Sequence, residues 1–260
     1  MHNNNNNDNV NDYYYYKGGG EVFKKLFIVL LAVLGAQISH GEILEIYTWK
    51  PYAGKAELML DAMQEAAEIH SSLGIGVTIS QLAQGTTQDI DYVLRYDDLE
   101  SWGALNDSSA LSAEWNTFFA KFQANPHGEL VNSFSMVNHD QSNMADDWAE
   151  EGQIVSFFRW EPASGLSGQE ALRQGFMTAK EIHEALGARV ESYQVTNGSE
   201  GVTDMMYLMI YDDYSEMAEV NQAMQTNPEW LAFQQAVDSI PGQAAVLLRS
   251  GVAVMAASYD

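Results

Sequence analysis

Two histidines in matching contexts are the first residues whose chemistry stands out. His70 and His183 each follow a Glu-Ile pair and precede a Leu-Gly pair, at the end of an apolar helical pattern. An imidazole could ligate a metal or haem, or transfer a proton, but the last turn of a helix also favours a cation. Neither histidine has a second metal ligand at helical spacing on its own face. We therefore expect partly exposed histidines at helix ends, and neither a metal nor another cofactor.

Aromatic residues on the strands are the second set of candidates. Each half of the chain has one strand face rich in rings and an opposite face that is aliphatic. The ring-bearing residues are Tyr47, Trp49, Tyr92 and Tyr96 in the first half and Phe158, Trp160, Tyr207 and Tyr211 in the second. Aliphatic faces suit packing under helices. We predict that the rings face the space between two sheets, as a packed core or as the lining of a cavity for a small hydrophobic or aromatic ligand.

Glu45 is the polar residue on the ring-bearing face of the first half, which makes it the candidate catalytic base. A cofactor-independent monooxygenase or isomerase needs such a base and no metal. The second half has Ser156 at the matching position. Any catalytic site of this kind would therefore lie in the first half alone.

Charged residues near the strand ends have structural interpretations. Arg95 lies on an otherwise aliphatic face and is expected to pair with a neighbouring acid, whereas Arg159, near a strand end, is expected to reach solvent. The pairs Asp97-Asp98 and Asp212-Asp213 precede helical patterns. Carboxylates at such positions cap helices, so we expect caps here and not a cation site.

The chain contains the same motifs twice. Trp49-Lys50-Pro51 is matched 111 residues later by Trp160-Glu161-Pro162, and Tyr96-Asp97-Asp98 is matched 115 residues later by Tyr211-Asp212-Asp213. A period of this size is that of a whole domain. The sequence thus predicts two related domains, at 42–138 and 153–260, joined by an acidic linker at 139–152.

Each half has the pattern strand, helix, strand, strand, helix, strand. The later piece of the second helical region begins with a cap, Ser112 in the first half and Asn227-Pro228 in the second. This order predicts an α+β, ferredoxin-like domain: an antiparallel four-stranded sheet with both helices on one face. The bare faces of the two sheets would cover each other. We therefore predict an intramolecular pseudo-dimeric α/β barrel, in a monomer with internal pseudo-two-fold symmetry.

Residues 1–41 differ in composition from the rest of the chain. Asn and Tyr runs form a low-complexity leader, and Lys24-Lys25 precedes the apolar run 26–34 and then small residues. The apolar run is shorter than the about 20 residues that span a membrane. This pattern predicts a signal peptide cleaved after Gly41, with cleavage after Ala36 as the alternative, and hence a secreted or periplasmic protein without a membrane anchor after cleavage.

The overall charge excludes two classes of partner. The chain has 36 acidic and 12 basic residues, for a net charge of −24, and it has no cysteine. Such a surface repels nucleic acids and anionic membranes. Disulfides and thiolate metal sites are excluded as well.

Short motifs in both halves resemble NIPSNAP-type domains. These motifs are the opening strand 45–51 with Gly54-Lys55, the segment 96–99, and the helix start 227–233. The resemblance implies the dimeric α/β-barrel superfamily, which includes cofactor-free monooxygenases, isomerases and haem-binding relatives. The opening strand departs from the family pattern, because it has no Arg between the acid and Tyr47. The resemblance transfers no catalytic set to this chain.

Three functions are compatible with these observations. The first is a NIPSNAP-like or stress-barrel-like protein that binds a small hydrophobic or aromatic ligand or a protein partner. The second is a cofactor-independent monooxygenase or isomerase that uses Glu45 in the cavity between the sheets. The third is a purely structural duplicated barrel whose interior is full.

Overall fold

The structure is a computed structural model that describes residues 41–85, 89–138, 140, 149–198, 203–240 and 245–260. The predicted signal peptide, apart from Gly41, lies outside the described residues, as does most of the predicted linker 139–152. In the described part of the chain, no helix has both the length and the apolar character needed to cross a membrane.

Both halves have the strand and helix order that the sequence predicts, with the second helical region divided in two. The first half contains β1 (Ile43–Pro51), α1 (Ala56–Ser72), β2 (Gly76–Gln84), β3 (Ile90–Tyr96), α2 (Leu99–Leu111), α3 (Ala113–Ala124) and β4 (Gly128–Asn138). The second half contains β5 (Ile154–Pro162), α4 (Leu166–Ala185), β6 (Arg189–Gly198), β7 (Met205–Tyr211), α5 (Tyr214–Met224), α6 (Pro228–Asp238) and β8 (Ala245–Tyr259).

Side-chain caps lie at the starts of four helices, α2, α3, α5 and α6. The Asp98 carboxylate accepts from the backbone N–H of Ser101 at the start of α2, and Asp213 caps α5 in the same way. Ser112 and Asn227 cap α3 and α6. These contacts satisfy backbone N–H groups that have no partner within the helix. The predicted capping roles are confirmed.

The eight strands form one closed barrel in the order β1-β3-β2-β8-β5-β7-β6-β4, and every neighbouring pair is antiparallel. Each half contributes a ferredoxin-like sheet of four consecutive strands. Two seams join the sheets edge to edge, β2 with β8 and β4 with β6. The predicted fold class, an α+β intramolecular barrel of two ferredoxin-like halves, is confirmed.

A glycine makes one of these seams possible. Gly198 lies opposite Phe134 across the β4–β6 seam and has a φ of +143°. A Cβ atom at Gly198 would lie 2.4 Å from the Cβ of Phe134. The absence of a side chain therefore permits both the backbone conformation and the close approach of the strands.

The two faces of the sheet are reversed relative to the sequence prediction. Aliphatic residues fill the barrel interior, among them Leu44, Ile46, Val195 and Met206, together with Phe157. An eight-stranded barrel has an interior only wide enough for side chains. Aliphatic side chains fill most of it, beside buried polar groups such as Tyr193, whose hydroxyl lies 2.8 Å from the Glu191 carboxylate.

The ring-bearing face lies beneath the helices. The predicted ligand-binding residues Tyr47, Trp49, Tyr92 and Tyr96 pack against α1 to α3, and Phe158, Trp160, Tyr207 and Tyr211 pack against α4 to α6. The predicted orientation toward the space between the sheets is wrong for all eight residues. The tyrosine hydroxyls need polar partners when buried, and the helices supply one to Tyr92 and one to Tyr207 through His70 and His183.

Candidate ligand-binding site

A cavity of about 390 Å³ lies between the sheet and the helices of the first half. Its floor includes Tyr47, Trp49 and Tyr92 from β1 and β3, and α1 forms one wall. The end of α2 and the inner face of α3 close the other side, with Ser109 and Trp115 among the lining residues. Small-molecule sites in proteins are usually apolar clefts of about 300–1,000 Å³ with a few polar groups, so this cavity has the size and lining of a ligand site.

The barrel interior contains a smaller cavity of about 110 Å³. Residues from both halves line it, including Leu44, Phe157 and Met206. A space of this size accommodates a few water molecules, and it is well below the usual range for organic ligands. The predicted site between the sheets is therefore mostly filled.

The interior also holds the two arginines considered from the sequence. Arg95 is ion-paired with Glu42, as expected. Arg159 is 4% exposed, lies 2.9 Å from the Asp204 carboxylate and packs over the ring of Phe134. The expectation that Arg159 reaches solvent is wrong, because a buried guanidinium is tolerated where a carboxylate and a ring face compensate its lost hydration.

His70 is one of the polar residues that line the larger cavity. It is 3% exposed, which corrects the expectation of a partly exposed residue. Its Nδ1 lies 2.7 Å from the Tyr92 hydroxyl, and its ring centroid lies 4.3 Å from that of Trp115. Burial lowers the pKa of His70 from 6.5 to about 4. The imidazole is therefore neutral at pH 7, and its Nε2 has no hydrogen-bond partner among the described residues.

Glu45 lies next to the cavity, behind Tyr47, and not in the barrel interior as predicted. Its Oε1 accepts from Trp102 Nε1 at 2.8 Å, and its Oε2 accepts from the Tyr47 hydroxyl at 3.1 Å. The Tyr96 hydroxyl lies 3.5 Å from the same Oε2. Burial, followed by the charge of Glu45, raises the pKa of Tyr47 well above its usual value. Tyr47 therefore keeps its proton and donates it to Glu45.

The second half repeats the histidine arrangement. His183 Nδ1 lies 2.8 Å from the Tyr207 hydroxyl, and the ring centroids of His183 and Trp230 are 4.5 Å apart. Burial lowers the pKa of His183 to about 4 as well. The histidine, tyrosine and tryptophan are thus parts of the repeated framework, and they do not by themselves distinguish a site.

What differs is the filling of the space. Phe176, at the position of Met63 in the repeat, places its ring 5.0 Å from that of Tyr207. Met224, at the position of Ser109, packs against the same cluster. The small Ser109 at the end of α2 leaves room that the longer side chain occupies in the second half. Of the predicted aromatic residues, Tyr47, Trp49 and Tyr92 line the larger cavity.

Sequence reasoning missed the residues on the helices that shape the cavity. Met63, Asn106 and Ser109 are lining residues with ordinary helical patterns. The one available signal was the repeat itself, since alignment of the halves sets Ser109 against Met224. In the described part of the chain, no group of three His, Asp or Glu side chains is placed to hold a metal ion.

Comparison with known proteins supports the fold. Neither a family model nor a curated protein sequence matches the chain. An anthrone oxidase-like protein has a similar structure, with a TM-score of 0.55 and 11% identity, over 85% of this chain and 92% of that one. A candidate monooxygenase from Fusobacterium nucleatum has a TM-score of 0.53 and 11% identity, over 85% of this chain and 94% of that one. A second candidate monooxygenase, from Lactobacillus acidophilus, has a TM-score of 0.52 and 7% identity, over 85% of this chain and 95% of that one. At such low identity, these similarities establish the dimeric α/β-barrel fold and not an activity.

Proposed function

We propose that this protein binds one small, flat, hydrophobic or aromatic molecule in the first-half cavity between sheet and helices. The observation that carries the proposal is the cavity of about 390 Å³, which Tyr47, Trp49, Tyr92 and Trp115 line. Rings on several sides offer stacked and edge-to-face contacts to a flat molecule. The presence of monooxygenase-like and anthrone oxidase-like proteins among the structural neighbours agrees with this class of ligand.

The asymmetry of the halves supports a single site. A purely structural duplication has no need for an open volume in one half, because unfilled space costs stability. The second half shows that the same framework can be packed with Phe176 and Met224. Retention of the space in the first half is what a ligand site requires.

Methionine methyl groups provide a direct test. Naphthalene is titrated into protein labelled with ¹³C at the methionine methyls, with assignments from single Met→Leu variants. We expect the resonances of Met59 and Met63, which line the cavity, to shift saturably. Met205 and Met209 of the second half serve as internal controls and should remain in place. Absence of shifts, or shifts confined to Met206 and Met255 of the barrel interior, would contradict the proposal.

The natural ligand is accessible by a second experiment. Native mass spectrometry and solvent extraction of the purified protein would detect a co-purifying small molecule. A protein partner, the remaining binding alternative, would instead appear as a larger complex whose formation does not respond to naphthalene.

Catalysis at the same site is the second candidate function. In the tautomer whose Nδ1–H donates to Tyr92, His70 presents a neutral Nε2 that can accept a proton from an enolisable ligand. This arrangement favours His70 over Glu45 as the base, since donors already occupy both oxygens of Glu45. The test is deuterium exchange at the α-carbon of 2-tetralone in D₂O. We expect acceleration by the wild type and not by His70→Phe, with His183→Phe as the matched control.

Two further assignments accompany this function as proposals. We propose that the chain is a NIPSNAP-like member of its superfamily and that it is exported after cleavage at Gly41. The motifs at 45–51 and 227–233 support the first, and the basic and apolar pattern at 24–34 supports the second. N-terminal sequencing of the mature protein tests the cleavage, with Glu42 as the expected first residue.

A further inference from the structure

We propose that Glu45 fixes the hydrogen-bond polarity of the cavity, so that the ligand is a hydroxylated aromatic whose hydroxyl donates to the oxygen of Tyr47. This inference rests on the proposed function and deepens it. It makes Glu45 a positioning residue that acts through Tyr47, and it names the class of ligand: phenols and naphthols in their neutral form.

The contacts of Glu45 with Trp102 and Tyr47 have a fixed direction, in which the carboxylate accepts. Trp102 Nε1–H is a donor only, and it contacts Oε1 at 2.8 Å. The Tyr47 hydroxyl contacts the other oxygen, Oε2, at 3.1 Å. A carboxylate surrounded by donors is an acceptor at every contact. The single proton of Tyr47 is therefore directed at Glu45.

Because its proton is directed at Glu45, Tyr47 can offer a ligand only an acceptor. A phenolic oxygen with its proton engaged keeps a lone pair and can only accept further hydrogen bonds. Tyr47 lines the cavity, whereas Glu45 lies behind it. A ligand that meets this oxygen with its own acceptor gains nothing. A ligand that meets it with an O–H group completes a chain of bonds to a carboxylate, and such chains strengthen each member.

The charge of Glu45 and the His70–Tyr92 pair set the other preferences of the cavity. The negative charge of Glu45 disfavours a phenolate, so the ligand is bound neutral. His70 and Tyr92 share one hydrogen bond. In either tautomer this pair offers one donor and one acceptor to the cavity, so it tolerates either kind of group. Tyr47 is thus a lining residue whose preference for a donor is set.

The second half shows that this arrangement is separable from the fold. At the matching positions it has Ser156, Phe158 and Met217 in place of Glu45, Tyr47 and Trp102. The carboxylate and both of these donors are replaced together. The framework of His183, Tyr207 and Trp230 is retained without them.

We expect the substitution Glu45→Gln to reverse the direction of the hydrogen bond at Tyr47. Trp102 can only donate, so the amide oxygen of Glu45→Gln must face Trp102, and the amide NH₂ group then faces Tyr47. The Tyr47 oxygen accepts from that amide, which releases the Tyr47 proton toward the cavity. The polarity of the site is reversed with little change in volume.

The experiment compares 2-naphthol with 2-methoxynaphthalene, which keeps an acceptor oxygen and lacks the donor. The dissociation constants of both probes are measured by calorimetry for the wild type, Glu45→Gln and Tyr47→Phe. We expect the wild type to favour 2-naphthol by about tenfold, the usual value of one hydrogen bond. The ratio of the dissociation constant of 2-methoxynaphthalene to that of 2-naphthol should fall to about one or below in Glu45→Gln and to about one in Tyr47→Phe.

Controls separate the possible results. Tyr211→Phe removes a hydroxyl from the second half and should leave the wild-type ratio unchanged. If Glu45→Gln does not fold, as judged by circular dichroism, Tyr47→Phe alone decides the matter. A ratio near one in the wild type, or one that both variants leave unaltered, overturns this inference while the proposed function stands. Failure of both probes to bind overturns the proposed function itself.

Discussion

The two halves of the barrel share a framework and differ in what fills it. In both, a buried histidine bonds to a strand tyrosine, at 2.7 Å in the first half and 2.8 Å in the second, and packs against a helix tryptophan. The first half encloses a 390 Å³ cavity beside this framework, whereas Phe176 and Met224 pack against it in the second.

The comparison separates residues that hold the fold from residues that make a site. The repeated histidine, tyrosine and tryptophan join helix to sheet in each half, so their presence is explained by packing alone. Met63 and Ser109 line the cavity, and Glu45 accepts hydrogen bonds from Trp102 and from the lining residue Tyr47. These five positions differ between the halves, and they are the positions at which the first half is specialised.

The largest effect is expected from truncation of a packed side chain. Phe176→Ala should lower the free energy of unfolding by about 3–5 kcal/mol, because it creates a void in a filled cluster. Met63→Ala enlarges a space that already exists, so it should lower the free energy of unfolding by about 2 kcal/mol. Urea denaturation measures both. Equal costs would mean that the two halves are packed alike.

Acid should destabilise both halves through their histidines. The folded-state pKa of His70 and of His183 is lowered from 6.5 to about 4 by burial. Between these values the unfolded chain binds protons that the folded chain does not, so stability falls as pH decreases from 6.5 to 4 and is insensitive to these groups above that window. Each histidine accounts for on the order of 3 kcal/mol.

The measurement is the free energy of unfolding as a function of pH for the wild type and for His70→Asn and His183→Asn. Each substitution should remove a similar part of the slope between pH 6.5 and pH 4. A slope carried by one histidine alone would show that the two frameworks are not equivalent.

Transfer of a single residue between halves should close the cavity. Ser109→Met installs the second-half side chain and should weaken naphthalene binding by about tenfold or more, since it removes contact volume from the ligand. The reciprocal change, Met224→Ser, is the matched control and should leave first-half binding intact. Undiminished binding by Ser109→Met, measured by calorimetry, would place the ligand elsewhere.

The smallest effect is expected from removal of the tyrosine hydroxyl that bonds to the buried histidine in each half. Tyr92→Phe and Tyr207→Phe each remove the hydroxyl that bonds to a buried histidine, and each should cost about 1 kcal/mol of stability. Tyr211→Phe should cost less, because its hydroxyl bonds to the weak acceptor sulfur of Met209, at 3.6 Å, and to Ser156, and not to a buried histidine. Thermal unfolding of the ligand-free protein provides the comparison. Unequal costs for Tyr92 and Tyr207 would break the equivalence of the halves.

Much of the fold could be predicted from local signals. Ser112 and Asn227-Pro228 begin their helices as expected, because caps act over three residues and need no tertiary context. The duplicated motifs predicted two equal halves, and the bare sheet faces predicted a barrel. The site was less predictable, since Ser109 carries no signal of its own and shapes the cavity only because the packing of α2 makes it a lining residue.

The alternation along β1 established that Glu45, Tyr47 and Trp49 share one face and that Leu44 and Ile46 share the other. It could not establish which face turns inward, because a period of two is the same for either choice. Closure of eight strands decided this point, since the narrow interior is filled mostly by aliphatic side chains, while the ring-bearing face packs under the helices, where His70 bonds to Tyr92. The sequence by itself thus determined the elements, the repeat and the membership of each face. The tertiary structure decided where those faces point, and with them the place of the cavity.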